Sequence, residues 1–233
     1  MSVGNRVFLK RDLPESNVIE GFKNLPAANV ADTMSRLCAL SSEIKLIGSP
    51  AAPTMVGVAL TVKVRPGDNL MLHKALNMAQ EGDVIIVSNE GDRSQSLMGE
   101  IMVTYAKSTK KVAGIVLDGP IRDFDQISKM DFYIYGTGST PGGPFKEGPG
   151  EINVPISIGN VPVMPGDIIL GDTDGVIVIP KKYAKEILEA SIEYAKKDAA
   201  KLEAVINGTA NRNWVDESLK AKNTDIIDGC FEY

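Results

Sequence analysis

A chain of 233 residues with 43% hydrophobic and 24% charged residues and a formal net charge of −5 has an ordinary globular composition and enough length for a substantial core. The acidic balance, without any Lys/Arg cluster, argues against nucleic acid as the main partner. No window approaches the roughly 18 apolar residues of a membrane span, and no basic segment followed by an apolar core opens the chain, so the cytoplasm is the expected location. Cys38 and Cys230 are too few and too scattered for a disulfide framework or a thiolate zinc site, and His73 is the only histidine, which removes multi-histidine metal centres.

Residues 1–23 show little period. Pro26 then opens a segment that places Val30, Met34, Leu37 and Cys38 on one helical face. After the turn-rich break at Gly48–Pro53, Val56, Val58, Leu60, Val62 and Val64 alternate with Gly57, Ala59, Thr61 and Lys63, the pattern of a half-buried strand. Pro66-Gly67-Asp68 turns into a helix with Asp68 or Asn69 as its N-cap and Leu72, Ala75, Leu76 and Ala79 on its buried face. His73 lies at the edge of that face, where a structural role is the ordinary reading. Gly82-Asp83 leads into the strand Val84–Val87, completing a strand-helix-strand unit of the parallel kind.

Asn89–Ser96 is polar and leads to Gly99-Glu100-Ile101-Met102, the start of a helix expected to reach about Lys107, whose free amides suit an anion. Val112–Leu117 has the unbroken apolarity and β-branching of a buried strand, and Gly119-Pro120 ends it. Asp118, Arg122 and Asp123 therefore fall at the strand's carboxyl end or in the turn beyond, where α/β proteins place ligands. A carboxylate beside a guanidinium there can hold a hard divalent cation and an anionic substrate together, and it can equally be a surface ion pair.

A short helix to Met130 and a strand at Phe132–Tyr135 precede Gly136–Gly150, GTGSTPGGPFKEGPG, which is too rich in glycine and proline for regular structure. This loop or lid lacks the Gly-Lys-Ser/Thr ending of a phosphate-binding loop. Short strands come next at Ile152–Ile158, Val161–Met164, Ile168–Leu170 and Val176–Ile179, with Asp172 and Asp174 read as turn formers, since the other ligand positions of a calcium loop are missing. Lys181–Asn207 reads as a long helix stopped by Gly208, with Leu188, Ile192, Ala195, Ala199, Leu202 and Ile206 forming a seam beside which Asp198 lies. The expected organisation is one domain over 1–208 and an extension over 209–233 that adds a short helix.

Several blocks in order resemble one family, the RraA-like proteins that include the class II 4-hydroxy-4-methyl-2-oxoglutarate aldolases. They are PGDNLMLHKAL at 66–76, EGDVIIV at 81–87, GEIM at 99–102, GIVLDGPIRD at 114–123, the Gly/Pro loop, and GEINVPISIGNVPVMPGDIILGDTDGVIVIP at 150–180 before a long helix ending in glycine. The resemblance implies an α/β fold, an α/β/β sandwich like a swivelling domain with a long C-terminal helix, assembled as homotrimers or homohexamers with inter-subunit active sites. It implies that Asp123 binds Mg²⁺ (or Mn²⁺) and that Arg122 faces a substrate keto oxygen. Gly99, Glu100, Ile101 and Met102 match the loop whose amides hold a pyruvyl carboxylate, Glu100 is an acid near the metal waters, and His73 lines the site. Asp198 aligns with a glutamate given by the adjacent subunit, one methylene shorter here.

The implied reaction is retro-aldol cleavage of a 4-hydroxy-2-oxo acid, or decarboxylation of oxaloacetate, through a pyruvate enolate, with Glu100 or Asp198 polarising the water that acts as base. The residues facing the far end of the substrate are expected in Asn89–Ser96 and on a neighbouring subunit. The competing expectation is a protein-binding regulator of RNA degradation that needs no metal site. Methyl transfer finds no glycine-rich adenosyl-binding turn to support it.

Overall fold

The computed structural model describes residues 3–231. The chain divides into two compact units, Met1–Tyr194 and Ala195–Tyr233. In chain order the first holds β1 (Arg6–Val7), α1 (Ser16–Gly21), α2 (Ala27–Thr33), β2 (Lys45–Leu46), β3 (Met55–Val64), α3 (Leu70–Met78), β4 (Asp83–Ser88), α4 (Glu100–Thr104), β5 (Gly114–Leu117), α5 (Phe124–Ile127), β6 (Tyr133–Gly136), β7 (Gly150–Ile152), β8 (Ile156–Ile158), β9 (Val161–Val163), β10 (Ile168–Asp172) and β11 (Gly175–Ile179). Helix α6 (Ala184–Ile206) begins in the first unit, and α7 (Trp214–Ala221) lies in the second.

Strands β3, β4, β5 and β6 are parallel neighbours, because α3, α4 and α5 carry the chain back between them. The outer edge of β3 is shared: β7 pairs antiparallel with Val62–Val64, and β10 pairs antiparallel with Met55–Val58. Successive residues of the central strands point to opposite faces, and both faces are covered. Ile85, Val87, Ile115 and Leu117 pack with Leu72, Ala75 and Leu76 of α3. Val84, Ile86 and Val116 pack with Val154, Ile156, Ile158, Val161 and Val163 of the β8–β9 region. The result is a helix layer, a mixed sheet and a second β layer, the expected α/β/β sandwich.

Three local expectations change. Strand β3 is buried on both faces except at Lys63, because its small alternate residues make room for the β layer and the Thr61 hydroxyl donates to the Val154 carbonyl at 2.7 Å. Helix α2 stops at Thr33, since Ser35 and Arg36 take left-handed φ of 56° and 63°; Leu37 is exposed and Cys38 is buried outside any helix. The helix begun at Glu100 changes to π winding over Tyr105–Lys110 before the left-handed Lys111 ends it.

Helix α6 comes after a 3₁₀ turn at Lys181–Tyr183, and Gly208 with φ of 68° terminates it. Its seam residues Ile192, Leu202 and Ile206 are exposed. Asp172 accepts from the amide of Asp174 at 2.9 Å, as a turn former does, and from that of Ala27 at 2.9 Å. No helix among the described residues is long and apolar enough to cross a membrane.

One buried carboxylate ties the Gly/Pro loop to the sandwich. Asp68, 1% exposed, accepts from the amides of Leu70 (2.9 Å), Glu147 (2.6 Å) and Gly148 (2.9 Å). Asp68→Ala would orphan three donors at once, and we expect a loss of about 3 kcal/mol of unfolding free energy, read as a lower denaturant midpoint at unchanged slope.

Candidate active site

Strand β5 ends at Leu117, and the alternation of its pleat sorts the next residues between the two faces of the sheet. Val116 faces the β layer, and Asp118 continues on that parity. Its carboxylate accepts from the Gly91 amide at 2.9 Å and lines a cavity of about 440 Å³ with Lys63, Ser88, Ser157 and Asn160. Burial pushes the Asp118 carboxyl above its usual range, against the opposing pull of the Gly91 amide and Arg93. The chain then turns at Gly119-Pro120 and comes back on the helix side.

There it joins the stretch that begins α4. The Leu97 amide donates to the Pro120 carbonyl at 2.9 Å and the Arg122 amide to the Met98 carbonyl at 3.0 Å, while the Asn69 side-chain amide donates to the Leu97 carbonyl at 2.9 Å. These bonds set Gly99 directly against Arg122 and Asp123. Asp123 has left-handed φ of 59° at the start of α5, a conformation that aspartate tolerates better than most residues. Its Oδ2 accepts from the Glu100 amide at 3.0 Å and lies 3.7 Å from Arg122 Nε. A Cβ on Gly99 would stand 2.9 Å from both Cγ and Nε of Arg122 and closer still to Asp123 Oδ2.

Around this pair is a cavity of about 190 Å³ lined by Asn69, His73, Met98, Gly99, Ile101, Met102, Arg122, Asp123, Pro144 and Lys146. Arg122 and Asp123 also wall a more open hollow of about 370 Å³ with Phe124, Ser139 and Thr140. A lining of methionine, isoleucine and proline with a few charged groups suits a small organic acid. Burial, and then the charge of Lys146, hold the His73 imidazole below its ordinary pKa, so it is neutral at pH 7. The unfolded chain takes up that proton near pH 6.5 while the folded chain resists it. Stability should therefore fall as pH drops through 6.5 and level off below the folded value. His73→Gln should flatten that part of the stability–pH curve.

His73, Gly99, Ile101, Met102, Arg122 and Asp123 thus come together. Glu100 contributes its amide to Asp123, but its side chain is exposed at the helix start and is absent from the lining. Of the four amides, those of Glu100 and Met102 are occupied, by Asp123 and by the Gly99 carbonyl, while those of Gly99 and Ile101 donate to no described group. Asp198 is an exposed residue of α6 in the second unit. Residues 89–96 line the Asp118 cavity, through Glu90 and Gly91, and not the Arg122 cavity.

Sequence reasoning missed Asn69 and Lys146. The one lysine in a fifteen-residue Gly/Pro stretch was the available signal for Lys146. No group of three or more His, Cys, Asp or Glu side chains that could hold a metal exists among the described residues. Asp123 offers a hard carboxylate oxygen beside an open cavity. That fits Mg²⁺ or Mn²⁺ completed by water and substrate oxygens, and does not fit an all-protein site such as structural zinc.

The family model for Aldolase/RraA proteins matches residues 27–178. The chain belongs to the RraA-like family. A relative from Halalkalibacterium halodurans, provisionally named 4-hydroxy-4-methyl-2-oxoglutarate aldolase, is 39% identical over 191 residues, covering 82% of this chain and 90% of its own. A solved structure from Streptomyces coelicolor, described as an unusual member of the RNase ES inhibitor RraA protein family, superposes with a TM-score of 0.73 at 26% identity over 82% of this chain and 98% of its own. An uncharacterized protein from Pseudomonas syringae pv. tomato has a TM-score of 0.74 at 23% identity, over 85% and 96% of the two chains, and shares the fold. Membership of the RraA-like family and the names of its relatives support a lyase or an RraA-like role for this chain.

Proposed function

We propose that this protein is a divalent-metal-dependent carbon–carbon lyase that releases pyruvate from a 4-hydroxy- or 4-carboxy-2-oxo acid. The observation that carries the reading is the Arg122–Asp123 pair, pressed against the main chain of Gly99 at the wall of a small, largely apolar cavity. Asp123 would hold Mg²⁺ or Mn²⁺, which would supply positive charge toward the oxygen that becomes negative as the bond breaks. The Arg122 guanidinium faces the same keto oxygen with fixed donors, and the unoccupied amides of Gly99 and Ile101 take the neighbouring carboxylate.

In the retro-aldol reaction the C4 hydroxyl loses its proton, the C3–C4 bond breaks, and its electron pair passes into the enolate of pyruvate, which is then protonated at C3. Decarboxylation of oxaloacetate breaks the corresponding bond with loss of CO₂ and leaves the same enolate. The base for this proton is a water polarised by Glu100 or by Asp198, the latter from an adjacent subunit of a homotrimer or homohexamer. The relative provisionally named as an aldolase supports this reading.

The second reading, a protein-binding regulator, draws on the RNase ES inhibitor family named for the Streptomyces coelicolor structure. Incubation with oxaloacetate and Mg²⁺ separates the two. We expect pyruvate to appear, to stop on chelation with EDTA, and to resume on adding Mg²⁺ or Mn²⁺. No pyruvate with any divalent metal overturns the lyase and favours the regulator.

A further inference from the structure

We propose that the cavity on the β-layer side of the sheet edge is a second binding site, for a small zwitterion whose carboxylate is taken by Lys63 and whose ammonium group is taken by Asp118. It is separate from the Arg122 cavity and does not rest on the lyase reading. The sheet register leads to it. Lys63 of β3 pairs with Ser88 of β4. Val87 pairs with Leu117 of β5, so Asp118, whose amide donates to the Val87 carbonyl at 3.0 Å, stands beside Ser88. All three share the parity of Ala59, Ile86 and Val116, which pack against the β layer. A lysine, a serine and an aspartate therefore stand side by side at the carboxyl ends of three adjacent parallel strands, where open α/β sheets place ligands.

Neither charged end of this row has an ionic partner. Lys63, the one exposed residue of β3, makes no ion pair among the described residues. Its cross-strand neighbour Glu151 is held by Arg6, and the charge of Lys63 acts on it only as the last of several influences. At the other end, Asp118 accepts from the Gly91 amide, while Arg93, whose charge also acts on it, is paired with Glu43. A carboxylate desolvated without its own cation gains most from an incoming ammonium group. Parallel neighbours lie about 4.8 Å apart, so the Lys63 and Asp118 backbones are about 10 Å apart, and a chain of about four carbons spans the gap left by their side chains. Between them the Ser88 hydroxyl donates to the Ser157 carbonyl at 2.7 Å, which leaves its oxygen as an acceptor. The opposite wall is tied down, since the Ser41 amide donates to the Gly159 carbonyl at 2.9 Å and both residues line the cavity. Its volume of about 440 Å³ admits a ligand of this size. A simple anion at Lys63 would face the unbalanced acids Asp118 and Glu90, and a simple cation at Asp118 would face Lys63. One molecule carrying both charges meets neither objection.

The test titrates the full-length protein with 4-aminobutyrate, and with butyrate and butylamine, each of which keeps one of its two charges, by isothermal calorimetry. We expect wild type to bind 4-aminobutyrate at least about tenfold tighter than either, the size of one charge-assisted contact. Lys63→Gln and Asp118→Asn, the second of which retains an acceptor for the Gly91 amide, should each weaken 4-aminobutyrate by about tenfold or more. His73 is the only histidine and lines the Arg122 cavity on the helix side, so its imidazole NMR signal should stay in place at saturating 4-aminobutyrate. No binding by wild type, equal binding of the three ligands, an affinity unchanged in either variant, or a shifted His73 signal overturns the assignment. None of these outcomes bears on oxaloacetate turnover, so the lyase reading stands or falls by its own experiment.

Discussion

Asp123→Asn is expected to lower oxaloacetate turnover by at least about 10²-fold while the protein stays folded. The substitution separates two jobs of one side chain. Oδ2 accepts from the Glu100 amide at 3.0 Å, and asparagine's carbonyl oxygen can take over that bond; asparagine also tolerates the left-handed φ of 59°. What asparagine removes is the negative charge that would draw a divalent cation beside Arg122. Loss of a fixed electrostatic partner of the developing enolate costs on the order of 10²–10³ in kcat, whereas a conservative change at a half-exposed position moves stability by about 0.5 kcal/mol or less. Steady-state kinetics paired with denaturant unfolding measure both. Unchanged turnover at any Mg²⁺ concentration would show that Asp123 only caps α4.

Gly99→Ala should produce a loss of similar size without touching a charged group. Gly99 has φ of −131°, a conformation open to alanine, so the backbone raises no objection. The methyl group meets Arg122 Cγ and Nε at 2.9 Å, and Asp123 Oδ2 more closely. Arg122 can swing aside, but Asp123 is held to the amide next door, so relief means moving the carboxylate. A displacement of about 1 Å at a reacting centre costs about 10²-fold, and the overpacking costs about 1–3 kcal/mol. The variant should fold, bind the metal poorly and turn over slowly. Wild-type kinetics from Gly99→Ala would mean that the observed closeness of these three residues has no catalytic purpose.

Much of this site is legible in one dimension because its parts lie next to each other there. Arg122 and Asp123 are consecutive, and Gly99 to Met102 form one helix start, so the strand-end and helix-start rules each locate a whole component. Lys146 was not legible: its relation to His73 depends on hydrogen bonds from residues 145–148 to residues 67–69, across nearly eighty positions of chain. Asn69 reads in sequence as a cap; its side chain instead reaches the Leu97 carbonyl. Asp118 shows a third case. It stands five residues from Asp123, yet the pleat sends it to the β-layer face and the turn brings Asp123 to the helix face.

By itself the sequence determined the buried strands around Val84–Val87 and Val112–Leu117, the helix beginning at Leu70, the glycine that ends the long helix, and the residue types at the strand-end turn. These come from local periodicity and turn chemistry, which act over a few residues. Only the tertiary structure decided that β3 is covered on both faces, that one sheet edge carries separate cavities on its two sides, and that a lysine from the Gly/Pro loop joins the Arg122 cavity. Those outcomes depend on which layer packs over which face, a choice made by burying apolar area between segments far apart in the chain.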